Sequence, residues 1–237
     1  MFDHLDIAVG DFDASRAFYV RAQGVPTAER EWVEWGDFGI QPTDADHGLT
    51  RRLHVAFGVA SRDDVDAWWR RMVDAGYRSD GEPGPRPEYG ATYYGGFILD
   101  PDGNSVEAVH HETARPNTID HVWLRSRDLA EQKRFYETVA PVVGLRAKHD
   151  APTRLQLTDG EGSFTFVPGD VPTEHVHLAF KAADRETVDA FHRVALAAGY
   201  HDNGAPGERP QYHPGYYGAF VLDPDGHNVE AVYHDRA

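Results

Sequence analysis

Cysteine is absent from the chain, which rules out disulfides and thiolate metal ligands alike. No apolar run approaches the length needed to span a membrane as a helix. Positive charge is also scarce. Lys and Arg total 23 against 39 Asp and Glu, a formal charge of −16. Nucleic acid demands a basic face, so this balance argues against it. An acidic surface permits a cationic small molecule but does not identify one. The sequence opens Met1-Phe2-Asp3-His4 and enters an apolar strand without a signal peptide. The expectation is a soluble, cytoplasmic protein that meets small molecules, a substrate or drug, with no nucleic acid and no membrane; a homodimer is allowed.

What is there is a repeat. Residues 54–111 align with 177–234 without a gap, at a constant offset of 123. Asp3-His4 is answered by Asp120-His121, and Phe18-Tyr19 by Phe135-Tyr136. The chain reads as a tandem duplication joined near Ala114–Asn117, with domains 1–114 and 115–237. Each copy divides again into two units of one plan: strand, helix, then a run of strands. The first unit has a strand over Phe2–Val9, a helix over about Asp13–Ala22, and strands near Glu31–Trp35 and Phe38–Gln41. In copy two, Asp128 begins the matching helix with Glu131 three residues on. Strands near Arg154–Leu157 and Ser163–Val167 follow it. The second unit opens at Leu53–Gly58, or Val176–Lys181. Its helix is capped by Ser61 or Asp184 and ended by Gly76 or Gly199. A Gly/Pro-rich segment, Gly81–Pro87 or Gly204–Pro210, leads into a tyrosine-rich hairpin. Its turn, Asp-Pro-Asp-Gly at 100–103 and 223–226, has type I chemistry.

Three residue types stand out in each copy. Glu107 and Glu230 interrupt apolar strands, where an unpaired buried charge is costly. His4, His54, His121 and His177 lie near the starts of opening strands, on the face opposite the large aliphatic residues. Two imidazoles and one carboxylate make a triad suited to Fe, Mn, Zn or Ni. The copies have diverged at Gly90/His213 and Trp69/His192 yet keep these three types.

The opening Asp-His strand and the closing Asp-Pro-Asp-Gly-x-x-Val-Glu of each copy resemble the vicinal oxygen chelate superfamily. That group includes glyoxalase I, bleomycin-resistance proteins and extradiol dioxygenases. The resemblance covers nearly the whole chain. It implies an α+β fold of two fused domains, each folding two βαβββ units into a cup of curved strands with a divalent metal inside. The family's metal positions fall on His4, His54 and Glu107, and on His121, His177 and Glu230. A cup forms in this superfamily from consecutive or from exchanged units. Exchange would join His4 to His177 and Glu230, and His121 to His54 and Glu107; both pairings use the same residue types.

Two departures narrow the function. Glyoxalase I places a fourth, carboxylate ligand on the last strand of the first unit, where this chain reads Phe38–Pro42 and Phe164–Pro168 without Asp or Glu. The extradiol pattern wants a Tyr where Phe97 and Phe220 stand and a His upstream, which His213 approximates in copy two only. Candidate acids or orienting donors are Tyr94, Tyr217 and His213. Candidate substrate contacts are Arg86, Tyr89, Tyr93, Trp123, Arg125, Arg209, Tyr212 and Tyr216. Adjacent tyrosines in a strand face opposite ways, so one of each pair should reach the cup. The resulting expectation is a metal-dependent dioxygenase, lyase or isomerase acting on a small oxygen-chelating substrate. The alternative is a non-catalytic protein that sequesters an antibiotic or metabolite.

Overall fold

The structure, a computed structural model, describes residues 2–235. In chain order the elements are β1 (Phe2–Val9), α1 (Phe12–Gln23), β2 (Ala28–Glu29), β3 (Val33–Trp35), β4 (Phe38–Pro42), β5 (His54–Gly58), α2 (Arg62–Asp74), β6 (Ser79–Pro85), β7 (Tyr94–Leu99) and β8 (Ser105–His110). The second half repeats them as β9 (Ile119–Ser126), α3 (Leu129–Val139), β10 (Arg146–Ala151), β11 (Arg154–Thr158), β12 (Ser163–Pro168), β13 (Val176–Lys181), α4 (Arg185–Ala197), β14 (His201–Glu208), β15 (Tyr216–Leu222) and β16 (Asn228–His234). The fold is therefore α+β, a strand-helix-strands unit repeated four times.

Local chemistry sets the helix starts. Asp11, Ser61, Asp128 and Asp184 each accept a backbone N–H from the first turn of the following helix. The first helix begins one residue earlier than its sequence suggests, because Asp11 and not a later residue is the cap. Glu131 pairs with Arg134 rather than completing a box with Asp128. Each helix buries one stripe, as with Ser15, Phe18, Tyr19 and Ala22 on α1.

The Asp-Pro-Asp-Gly turns form as their sequence dictates, with Gly103 N–H donating to Asp100 O at 3.0 Å and Gly226 N–H to Asp223 O at 2.9 Å. Both leading aspartates are buried, and burial raises their pKa. Asp100 accepts from Tyr19 OH, Asn104 Nδ2 and two backbone N–H groups. They are turn-stabilising residues.

Most of each Gly/Pro-rich segment before the hairpins is strand. β6 and β14 lie at the ends of their strand orders. Both carry register shifts, at Ser79/Gly81 and Gly81/Gly84 in β6. Proline is tolerated at an edge and at bulges, where no ladder N–H is required.

The described chain forms two compact units. One comprises Met1–Leu5 and Arg125–Ala237, the other Asp6–Leu124. Their boundaries fall inside β1 and β9, so each opening strand begins in one unit and ends in the other. In the first unit β1 completes the order β14-β15-β16-β13-β1; in the second β9 opens the order β9-β5-β8-β7-β6. This topology brings the start of β1 beside copy two's second unit, and the start of β9 beside copy one's.

Candidate metal centres

The second unit holds one triad. In the middle of β5, Ala56 pairs with Glu107 on parallel β8 and with His121 on antiparallel β9. His54, two residues earlier, shares that face. The central alanine is small, and three longer side chains converge over it. His54 Nε2 lies 3.1 Å from Glu107 Oε2, His121 Nε2 lies 3.4 Å from it, and the two nitrogens are 3.3 Å apart. The point equidistant from donors so spaced is about 1.9 Å from each, close to the 2.0–2.2 Å of metal bonds to N and O, so His54, Glu107 and His121 would suit a divalent ion. Two imidazoles, which give up a proton on binding a metal, and a carboxylate also suit a divalent ion chemically.

Outer partners leave the Nε2 atoms free for that task. His121 Nδ1 lies 2.8 Å from Asp120 Oδ1, whose other oxygen is 2.8 Å from His111 Nε2. His54 Nδ1 lies 3.2 Å from Ser105 Oγ. Such partners fix the ring and the tautomer of a metal-bound histidine. Glu107 is 1% exposed. Burial would raise its pKa, but hydrogen bonds from His121 and His54 overcome this and lower it to about 2. Burial would lower the pKa of His121; its bonds to Asp120 and Glu107 win and raise it to about 9. Asp120 is held well below the usual range by His111 and His121, again against burial.

The first unit brings together the corresponding residues. Ala179 of β13 pairs with Glu230 of β16, and β1 is the other neighbour of β13. His177 Nε2 lies 3.0 Å from Glu230 Oε2 and His4 Nε2 lies 3.6 Å from it. His4 Nδ1 is 3.0 Å from Asp3 Oδ1, and Asp3 in turn meets His234 Nε2 at 2.9 Å. Here the chain continues: His234 Nδ1 is 2.8 Å from His213 Nε2. Gly90 stands at the position of His213 in copy one, and at that centre His111 Nδ1 meets Thr113 Oγ1 at 3.2 Å instead of a further histidine. The structure thus has exchanged units, joining residues of both copies at each centre.

The tyrosines divide as strand alternation requires, and the acid candidates fall on the outer side. Tyr94 OH donates to Asp66 of α2 and Tyr217 OH to Asp189 of α4, both at 2.8 Å. Tyr93 and Tyr216 face the centres instead, donating to Glu107 Oε1 and Glu230 Oε1 at 2.7 Å. Burial, then the neighbouring carboxylate charge, pushes both phenols far up. The hairpin register carries this signal: Phe97 pairs with Glu107, so a period of two puts Gly95 and Tyr93 on the glutamate's face.

The remaining candidates scatter. Tyr89, 54% exposed, stands 5.2 Å from the Tyr93 ring and 6.1 Å from Trp123. Trp123 pairs with His54, so these aromatics rim one centre. Tyr212 lies 4.8 Å from Tyr216 at the other. Arg86 and Arg209 donate to the edge-strand carbonyls of Glu82 and Ala205 and cover Phe97 and Phe220. Arg125 is exposed and its stem lies over Gly169. Sequence reasoning missed His111 and His234. Both stand four residues after the glutamate, the same duplicated spacing that singled out Glu107 and Glu230.

A family model described as the Glyoxalase/Bleomycin resistance protein/Dioxygenase superfamily matches residues 1–108 and again 118–231. Among solved structures, glyoxalase I from Zea mays is 20% identical with a TM-score of 0.67, covering 98% of this chain and 92% of that one. A putative dioxygenase from Bacillus subtilis is 14% identical with a TM-score of 0.69, covering 100% of this chain and 86% of that one. At these identities the likeness is one of fold. No curated protein gives a match. Two copies of the family domain, matched along nearly the whole length, decide the matter: the chain belongs to the glyoxalase/bleomycin resistance/dioxygenase superfamily.

Proposed function

We propose that the chain is a metal-dependent enzyme acting on a small organic molecule that chelates the ion through adjacent oxygens. One observation carries the reading: a buried glutamate facing two histidine Nε2 atoms, built twice, with each centre's first-strand histidine braced by a carboxylate. A bound divalent ion would supply Lewis acidity and a template for the substrate's oxygens. The protein's own groups do the rest. Glu107 stays ionised under the hydrogen bonds from His54 and His121 that hold it. Asp120 and Asp3 keep His121 and His4 turned so that Nε2 faces inward. His54 and His177 retain 22% and 18% of their side-chain exposure, which leaves each centre a route for a small molecule. Tyr89 and Trp123 give the centre of the second unit an aromatic rim. His213 can pass a proton to the network behind His4.

The test is metal content by elemental mass spectrometry after growth with iron, manganese and zinc supplied. The expected result is about two ions per chain, falling to one in His177→Ala. No metal in any preparation would overturn the reading. No helix among the described residues is long and apolar enough to cross a membrane.

A further inference from the structure

Each glutamate has two oxygens with different surroundings. Oε2 faces the histidines at both centres. Oε1 faces away and accepts the phenol O–H of Tyr93 or Tyr216 at 2.7 Å. The phenol ring is itself fixed, in a buried cluster with Ala56 and Val109 or with Ala179 and Val232. A glycine on the neighbouring strand completes the arrangement. A Cβ at Gly95 would overlap Glu107 Oε1 and come 3.3 Å from Tyr93 Cε1. A Cβ at Gly218 would overlap Glu230 Oε1 and come 3.1 Å from Tyr216 Cε1. Neither glycine has a positive φ, so the backbone does not require it there. The space over the carboxylate is what requires it.

We infer that Tyr93 with Gly95, and Tyr216 with Gly218, are positioning devices that confine each glutamate to ligation through Oε2 alone. This rests on the metal reading above and deepens it. A carboxylate gripping an ion with both oxygens would occupy two coordination positions. Holding Oε1 in the glycine notch under a phenol leaves one of those positions to the substrate. A substrate chelating through adjacent oxygens needs two. The tyrosines act through the glutamates, so they set the coordination number without touching the reacting atoms.

Cobalt(II) is the probe, because its visible absorption weakens as coordination number rises. Wild type, Tyr93→Phe, Tyr216→Phe and the double variant are loaded with cobalt and titrated with acetohydroxamate, a two-oxygen chelator. The expected result is weaker absorption per cobalt at the altered centre and hydroxamate binding weakened about tenfold, the lower end of outer-partner effects. Thermal melts report whether each variant folds. A folded variant with unchanged spectrum and unchanged hydroxamate affinity would overturn the inference, as would one that loses cobalt outright. Should the variants fail to fold, infrared difference spectra of cobalt-loaded wild type decide. A wide separation of the carboxylate stretches supports one-oxygen ligation; a narrow one refutes it. A wild-type chain that takes up no cobalt would remove the metal reading itself, and this inference with it. Cobalt uptake without the tyrosine effect would remove only the inference.

Discussion

Gly95→Ala should be more harmful than its chemistry suggests. The added methyl would overlap Glu107 Oε1 and approach Glu107 Cδ to 3.2 Å, so the carboxylate must move. Overpacking of this kind costs about 1–3 kcal/mol. Displacing the carboxylate also breaks its hydrogen bond from Tyr93, and bonds to charged groups are worth about 1.5–3 kcal/mol. The two losses overlap, which gives an expected destabilisation of about 2–4 kcal/mol. For a chain of this size that is a Tm fall on the order of 4–16 °C. Two other glycines isolate the cause. Gly96→Ala meets Pro83 Cγ at 3.2 Å, Val65 Cγ1 at 3.3 Å and Pro83 Cα at 3.4 Å, none of them an overlap, and should cost less than its neighbour. Gly76→Ala has open space but a φ of +90°, so it pays only backbone strain, about 1–2 kcal/mol. The assay is thermal and urea unfolding of all three with EDTA present, so that metal binding does not contribute. If Gly95→Ala is no less stable than Gly76→Ala, the notch around Oε1 does not exist.

The pair formed by His121 and Glu107 gives a pH profile. His121 is raised from 6.5 to about 9, so its contribution is full below about pH 6.5 and is lost as pH rises through 9. Glu107 is lowered from 4.5 to about 2, so its contribution holds above about pH 4.5 and is lost as pH falls through 2. In EDTA, denaturant unfolding should show a maximum between those limits and a fall of about 3 kcal/mol toward pH 9. His121→Gln should flatten the alkaline side, and a flat wild-type profile would refute the assignment. A second contrast lies under the turns. Tyr19 OH donates to the buried Asp100 carboxylate, whereas Tyr136 OH has no hydrogen-bond partner among the described residues. Tyr19→Phe should cost about 1.5–3 kcal/mol and Tyr136→Phe close to nothing; equal effects in urea unfolding would contradict this.

Much of the fold was legible because it is written locally. Asp-Pro-Asp-Gly specifies its turn from its own four residues, and Ser61, Asp128 and Asp184 cap helices through bonds two or three residues long. The duplication then multiplies each local signal by two. The edge strands β6 and β14 were hidden because Pro83, Pro85 and several glycines speak for a loop, and only their edge position excuses them. The triad residues themselves were readable, since a glutamate in an apolar strand needs a partner. Their pairing was not. His4 and His121 are chemically identical neighbours for either glutamate, and the choice is made by which strand lies beside β5 and β13. The tyrosines show a finer limit. Alternation says that one of Tyr93 and Tyr94 faces inward, but only the hairpin register, with Phe97 opposite Glu107, says which.

The central claim is that two metal centres exist and that each draws residues from both halves of the chain. Metal content of His54→Ala/His121→Ala, measured by elemental mass spectrometry beside His54→Ala/His177→Ala, tests it most directly. The first pair empties one centre and the second pair damages both. The account predicts about one ion per chain in the first variant and none in the second. No ion in either variant, the result consecutive pairing gives, would contradict it, as would a wild-type protein that holds none.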